Sequence, residues 1–323
     1  MELYPLKFQP KFHYRIWGGE KLKTVLNKEY TEENIGESWE ISTVPNSETV
    51  LIGGELKGKT INELISSFGA DFLGEVVYQR FGTEFPLLIK FIDAKTPLSI
   101  QVHPGDELAK KRHNSFGKNE MWYVLEAEEN AELIVGLNKQ LDKRSYVDLI
   151  SKGAIEEAMN KINVNAGDTF YIPAGRVHAI GGGVLIAEIQ QTSDVTYRIF
   201  DFNRVDKKTG AKRELHADLS VDAIDFNLVD NYKTQYDLGQ TQNKLVHSNY
   251  FRTNILNING EATISMSKKE SFKILIGVEG NSEIIYKKEN YFIKKGETIL
   301  LPAGLNEPIV LSSTGCKLLE VFI

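Results

Sequence analysis

Asn165–Ile180, NAGDTFYIPAGRVHAI, decides the fold, because Lys294–Ile309, KKGETILLPAGLNEPI, repeats its plan near the other end of the chain. Each copy runs from a glycine and an acidic residue through a short apolar stretch to Pro-Ala-Gly, then steps on to His178 in the first copy and Glu307 in the second. Self-similarity of this kind marks a repeated structural unit. Alternating apolar positions bounded by Gly and Pro mark strands. The pattern implies two copies of one β-barrel unit, of which only the first keeps a metal-binding side chain at this position.

Working outward, the surrounding sequence is strand-rich. Apolar PLLIKFIDA, from Pro86, and Leu98–His103 read as buried strands, and Ile35–Val50 as half-buried sheet. Glu120–Leu137, EMWYVLEAEENAELIVGL, reads as a hairpin of two strands around an acidic turn, and Gly181–Gly183 as a second hairpin turn. The opening segment, LYPLKFQPKFHYRIWGGEKL, reads as irregular or short-strand. Helical periodicity appears at about 60–80, broken near Gly69, and at about 142–162, where two short helices are split at Gly153. A short helix follows Pro104, and a turn of helix lies near Leu219–Ile224. Val205–Ala217 is charged and irregular, a solvated loop. The final stretch is nearly all short strands. The fold class is therefore mainly β: two jelly-roll barrels or sandwiches with a small helical portion. Residues 1–230 form the first domain, with its N-terminal strands and short helices, and 240–323 a degenerate second one.

Composition narrows the function. Of 323 residues, 41% are hydrophobic and 25% charged, enough for a sizeable core. The apolar runs are shorter than the roughly 20 residues needed to span a bilayer, and no signal-peptide core is present, so a soluble cytoplasmic protein is expected. A net charge of −6 without a basic tract argues against nucleic acid as a partner. The single cysteine, Cys316, cannot form an intramolecular disulfide and reads as a packed thiol. Nothing in the sequence specifies an oligomer.

The chemistry lies in the first repeat and in Leu98–Met121, LSIQVHPGDELAKKRHNSFGKNEM. Gly167, Pro173, Gly175 and His178 form the second motif of the cupins, a family of small jelly-roll barrels. Strand alternation puts Gln101 and His103 on one face, and Glu120 opens the next strand. Gln101, His103, Glu120 and His178 together make one nitrogen–oxygen site for zinc, with Gln101 the weakest ligand because an amide oxygen binds poorly. Two histidines and a carboxylate also suit Fe(II), which keeps a cupin oxygenase as an alternative beside a non-catalytic sugar-phosphate-binding cupin. His13, His113, His216 and His247 lack motif support and read as surface or packing residues.

An ordered series of motifs then resembles the type I phosphomannose isomerases in their short bacterial form. It comprises WGG at Trp17–Gly19, GESWE at Gly36–Glu40, LSIQVHP at Leu98–Pro104, GKNEMWYVL at Gly117–Leu125, PAGRVHAI at Pro173–Ile180 and SDVTYRIFDFNR at Ser193–Arg204. The resemblance implies reversible isomerisation of mannose 6-phosphate and fructose 6-phosphate with one zinc per chain. It maps the zinc ligands onto Gln101, His103, Glu120 and His178 and the catalytic arginine onto Arg198. Arg198 is permanently charged and suits stabilisation of an enediolate, not proton removal. Lys90, Lys118 and Glu188 match positions near the family's active site, and each is a candidate base; a desolvated lysine beside zinc is expected to have its pKa lowered toward 7.

Overall fold

The structure, a computed structural model, describes residues 2–237 and 239–323. Alternation decides where its cores sit. In the strands Leu87–Ala94, Glu120–Ala127 and Val184–Gln191, residues Ile92, Trp122, Val124, Val184 and Ile186 turn to one side, and Ile89, Phe91, Met121, Tyr123, Leu185 and Ala187 to the other. Both sides are covered, so these strands read as almost unbroken apolar runs.

The three strands lie in a six-stranded antiparallel sheet. Its order is Thr169–Ile172, Glu120–Ala127, Val184–Gln191, Leu87–Ala94, Lys11–Gly19 and Ile35–Ile41. One side faces a five-stranded sheet ordered Tyr197–Phe200, Ile100–Val102, His178–Ile180, Glu132–Leu137 and Met159–Asn163. Leu133, Val135 and Ile180 complete the core between the two. The unit is thus an open sandwich, not a closed barrel. The other side of the six-stranded sheet packs on the helices Ile61–Phe68, Ala70–Leu73 and Glu75–Phe81, through Leu64, Phe72 and Val77, and on Phe272, Ile274, Leu319 and Val321 of the C-terminal sheet. Thr60 and Glu63 start the first helix with a reciprocal capping box, and Gly69, at φ +51°, ends it.

The C-terminal sheet runs Gln242–His247, Arg252–Ile264, Ile309–Phe322, Lys273–Tyr286, and the last of these also pairs with Glu289–Lys294 and Thr298–Leu301. Register shifts at Ile258/Gly260 and Gly280/Glu283 bend the long strands around Leu256, Leu275, Ile284 and Leu318. The strand before each Pro-Ala-Gly pairs with an equivalent neighbour: Ile172 with Glu120, and Leu301 with Lys273.

Several local expectations change. The opening segment forms a nine-residue strand, Lys11–Gly19. The second helical region ends early. It contains the α-helix Lys143–Ser151 and a single 3-10 turn at Ile155–Ala158, after which Met159–Asn163 is a strand on Glu132–Leu137. Its alternating burial is a strand period that a helix period also accommodates over so short a run. Both expected hairpins are crossings between sheets: the strands flanking the acidic turn, and those flanking Gly181–Gly183, belong to different sheets. A side chain at Gly181 would put its Cβ 2.0 Å from the Glu132 carbonyl oxygen, which is why the second crossing is made by glycine. Among the described residues no helix is long and apolar enough to cross a membrane.

Candidate metal centre and active site

The two sandwich crossings bring the ends of several strands together. His178 opens its strand directly opposite Gln101, and Arg198 lies opposite Gln101 on the other side, so the three form a row across the five-stranded sheet. His103 follows at the end of Ile100–Val102, and Glu120 faces them from the first position of its strand. His103, Glu120 and His178 are buried, and their ligand atoms lie within 4.8 Å of one another.

Backbone carbonyls fix both imidazoles. The Nδ1–H of His103 donates to Val195 O at 2.9 Å, and that of His178 to Arg176 O at 2.8 Å. Each Nε2 is thereby turned to the Glu120 carboxylate, at 3.5 Å for His103 and 3.4 Å for His178. Burial, with help from the Lys118 charge, pushes His178 down to about 3 and His103 well below the usual imidazole range. Both rings are neutral at pH 7 and present lone pairs. Burial, reinforced by Glu188 and opposed by Lys118, raises Glu120 to about 7, and its Oε1 is buried without a hydrogen-bond partner. The dry Glu120 Oε1 beside the neutral His178 imidazole, with the neutral His103 imidazole at the other carboxylate oxygen, is a donor set that suits a divalent cation. Gln101 stands beside it, with Nε2 3.3 Å from His178 Nε2 and Oε1 accepting from Ser99.

A second row crosses the six-stranded sheet. Trp39, Lys90, Glu188 and Trp122 are paired strand to strand. Glu188 accepts from the Trp122 indole at 3.0 Å and meets Lys90 at 3.3 Å and Lys118 at 3.7 Å. Lys118 also donates to Glu120 and lies 3.3 Å from His103 Nε2.

Family models for phosphomannose isomerase type I, catalytic domain, and for mannose-6-phosphate isomerase, cupin domain, match residues 5–146 and 241–321. Over 313 residues the chain is 36% identical to mannose-6-phosphate isomerase ManA of Bacillus subtilis, covering 95% of this chain and 96% of that one. It is 35% identical over 300 residues to the mannose-6-phosphate isomerase of Streptococcus mutans, covering 92% of each. The chain belongs to the type I phosphomannose isomerase family. The crystal structure of the Bacillus subtilis mannose 6-phosphate isomerase superposes with a TM-score of 0.89 at 34% identity over 99% of both chains.

In this phosphomannose isomerase fold the rows above border a cavity of about 460 Å³. Gln101, Lys118, Glu188, Lys90 and Arg198 all reach it, so the sequence-selected residues outside the buried triad share one space. Arg198 donates to Glu214 O at 2.8 Å, makes no ion pair among the described residues, and leaves its buried Nε without a partner. Burial pulls the Lys118 pKa down, but Glu120 and Glu188 outweigh burial and the net shift in the metal-free site is upward. Glu188 goes the other way: burial raises it, Lys118 and Lys90 more than compensate, and it is held ionised.

Sequence reasoning gave no site role to Arg15, Glu37 or Trp39, although Glu37 and Trp39 lie within GESWE and Arg15 just before WGG. Glu37 accepts a two-point ion pair from Arg15, at 2.8 and 2.9 Å, and the Trp39 indole N–H at 2.7 Å. Two carboxylates, Glu37 and Glu40, within the strand IGESWEI were the readable sign. The charged loop also departs from its reading. Asp206 and Arg213 line the cavity, and Lys208 sits 3.7 Å above the Tyr14 ring, because Tyr14 and Asp201 draw the loop back over the site. His13 stacks on Trp39, His113 bonds Tyr197, His216 accepts from the Arg198 backbone and His247 bonds Asn254.

Proposed function

We propose that the protein interconverts D-mannose 6-phosphate and D-fructose 6-phosphate through an enediolate, with one zinc ion per chain. Residues 1–230 are read as the catalytic unit and 240–323 as a second unit without metal ligands. The observation that carries the reading is a buried, cation-ready His103–Glu120–His178 cluster adjoining a cavity lined by Gln101, Lys118 and the ionised Glu188. Held by these three residues with Gln101 alongside, zinc supplies positive charge that polarises a substrate oxygen.

The chain's own groups do the rest. An aldose–ketose conversion moves one proton between C1 and C2 and places negative charge on the neighbouring oxygen. Glu188, ionised and oriented by Trp122, accepts and returns the proton. Lys118 holds the ammonium form and donates to substrate oxygens while it fixes the Glu188 carboxylate; Lys90 steadies the same carboxylate from the next strand. Arg198, with no carboxylate neutralising it, offers its charge to the enediolate.

Zinc-loaded protein should convert fructose 6-phosphate to mannose 6-phosphate in a coupled assay, lose turnover on chelation and regain it with zinc. In heavy water the product should carry deuterium at carbon. Zinc-loaded protein without turnover would overturn the reading, and substrate-dependent oxygen uptake by iron-loaded protein would replace it with an oxygenase.

A further inference from the structure

The C-terminal sheet has a cavity of its own, about 370 Å³, lined by residues of Arg252–Ile264 together with Gln242, Lys273, Glu320 and Phe322. Strand register shows what occupies its wall. Lys273 pairs with the residue before Pro302, as Glu120 pairs with the residue before Pro173. Glu320 lies opposite Leu275, two residues beyond Lys273, as Glu188 lies opposite Trp122, two beyond Glu120. Asn254 lies opposite Glu320, as Lys90 lies opposite Glu188. Three polar side chains therefore stand at the lattice positions that carry Glu120, Glu188 and Lys90 in the first unit. They are joined: Lys273 meets Glu320 Oε1 at 2.7 Å, Asn254 donates to Oε2 at 2.8 Å, and Gln242 reaches the same oxygen at 3.5 Å. Glu320 and Asn254 are only 3% and 5% exposed, so this is a polar cluster deliberately kept out of bulk water in a strand interior that is otherwise Leu and Ile.

We infer that this second mouth binds a small uncharged polyol or unphosphorylated sugar. An ammonium where the first unit has its metal-binding carboxylate repels a cation. The lining charges are Lys273 against Glu261 and Glu320, one anion in excess, which disfavours a phosphate ester. What remains is an ion pair neutralised from within, the exposed side-chain amides of Gln242 and Asn259, which both donate and accept, and the Phe322 ring as an apolar wall. Hydroxyl groups on a carbon frame match that set, and the volume suits a single ring or a six-carbon chain.

The test is titration of the full chain with D-mannitol and D-mannose, and with mannose 6-phosphate as the charged comparator. It is followed by the backbone and side-chain amide resonances of Gln242 and Asn254 in nitrogen–proton spectra. Millimolar neutral ligand should shift these resonances, Arg198→Ala should leave the response intact, and Asn254→Leu should weaken it at least tenfold. Gln242→Ala, at an exposed strand position that tolerates substitution, should weaken it severalfold and guards against misfolding of the Asn254 variant. The inference falls if no neutral ligand shifts these residues, if the response survives both substitutions, or if the phosphate ester binds this mouth as well as the neutral sugar.

Discussion

Where the N-terminal sandwich carries Glu120, the C-terminal sheet carries Lys273; where the first turns a buried His178 inward after Pro-Ala-Gly, the second has an exposed Glu307. The strand order around the two turns is otherwise the same, from the Pro-Ala-Gly strand through three further strands. The lattice of backbone hydrogen bonds is thus indifferent to the chemistry it displays. Reversing one charge and exposing one position distinguishes a cluster with the donor atoms of a cation site from one without them. The first mouth sets the cavity-lining cations Arg15, Lys90, Lys118, Arg198 and Arg213 against the carboxylates Glu37, Glu188, Asp194 and Asp206. The second sets Lys273 against Glu261 and Glu320, so the first mouth is left with a cation in excess and the second with an anion in excess.

The largest break in this comparison comes from Glu120→Gln. Metal content measured on the purified variant should fall to background, and isomerase turnover with it. Stability should move the opposite way in metal-free protein. The folded state holds the Glu120 proton up to about pH 7, above the unfolded value, so Glu120 favours folding at low pH and that contribution is lost as pH rises through 7. Metal-free Glu120→Gln should therefore resist urea better than metal-free wild type at pH 8, with the gap closing toward pH 5; equal midpoints at pH 8 would contradict the electrostatic account. Next in size is Arg198→Ala. It should lower kcat by about 10²–10³-fold, the loss expected for removing one preorganised charge at a developing oxyanion, while bound metal stays at the wild-type level. A parallel loss of metal would show that Arg198 supports the centre and not the reaction.

Much of this contrast was legible in the chain. NAGDTFYIPAGRVHAI and KKGETILLPAGLNEPI announce the repeat, and QVHP with Glu120 announces the ligand set, because a metal needs particular atoms at particular spacings. What escaped was partnership between strands. The acidic turn after Ala127 and the glycines at Gly181–Gly183 read as hairpins, since turn residues specify reversal but not the sheet to which the next strand adds. Arg15 and Glu37 escaped for the same reason: Glu37 meets Arg15 and Lys90 across strand boundaries, the latter from a strand far along the sequence. The equivalence of Lys273 with Glu120 could not be read from the Pro-Ala-Gly motif, because nothing near Lys273 resembles KNEMW. Only register reveals it.

A smaller effect should follow Lys273→Met. It leaves the Glu320 carboxylate, 3% exposed, with amide donors alone. Breaking a buried ion pair from one side costs about 3–5 kcal/mol, and partial exposure of Lys273 places this one at about 3. Urea unfolding should show it as a shift in midpoint at unchanged slope. A neutral result would mean that water reaches Glu320 freely and that the second mouth is not a protected polar site.

Glu307→His should do least, and its lack of effect is the sharpest statement about the repeat. Aligned by sequence alone, this substitution restores the missing histidine of the second motif and ought to create half a metal centre. Aligned by register, it cannot, because the carboxylate position still holds the Lys273 ammonium and Glu307 is exposed where His178 is buried. Stability should change by less than about 0.5 kcal/mol, as for most surface substitutions. Metal analysis should still return one equivalent per chain. A second equivalent would show that the C-terminal turn can fold its residue inward, and the two mouths would then differ in side chains alone and not in the path of the backbone.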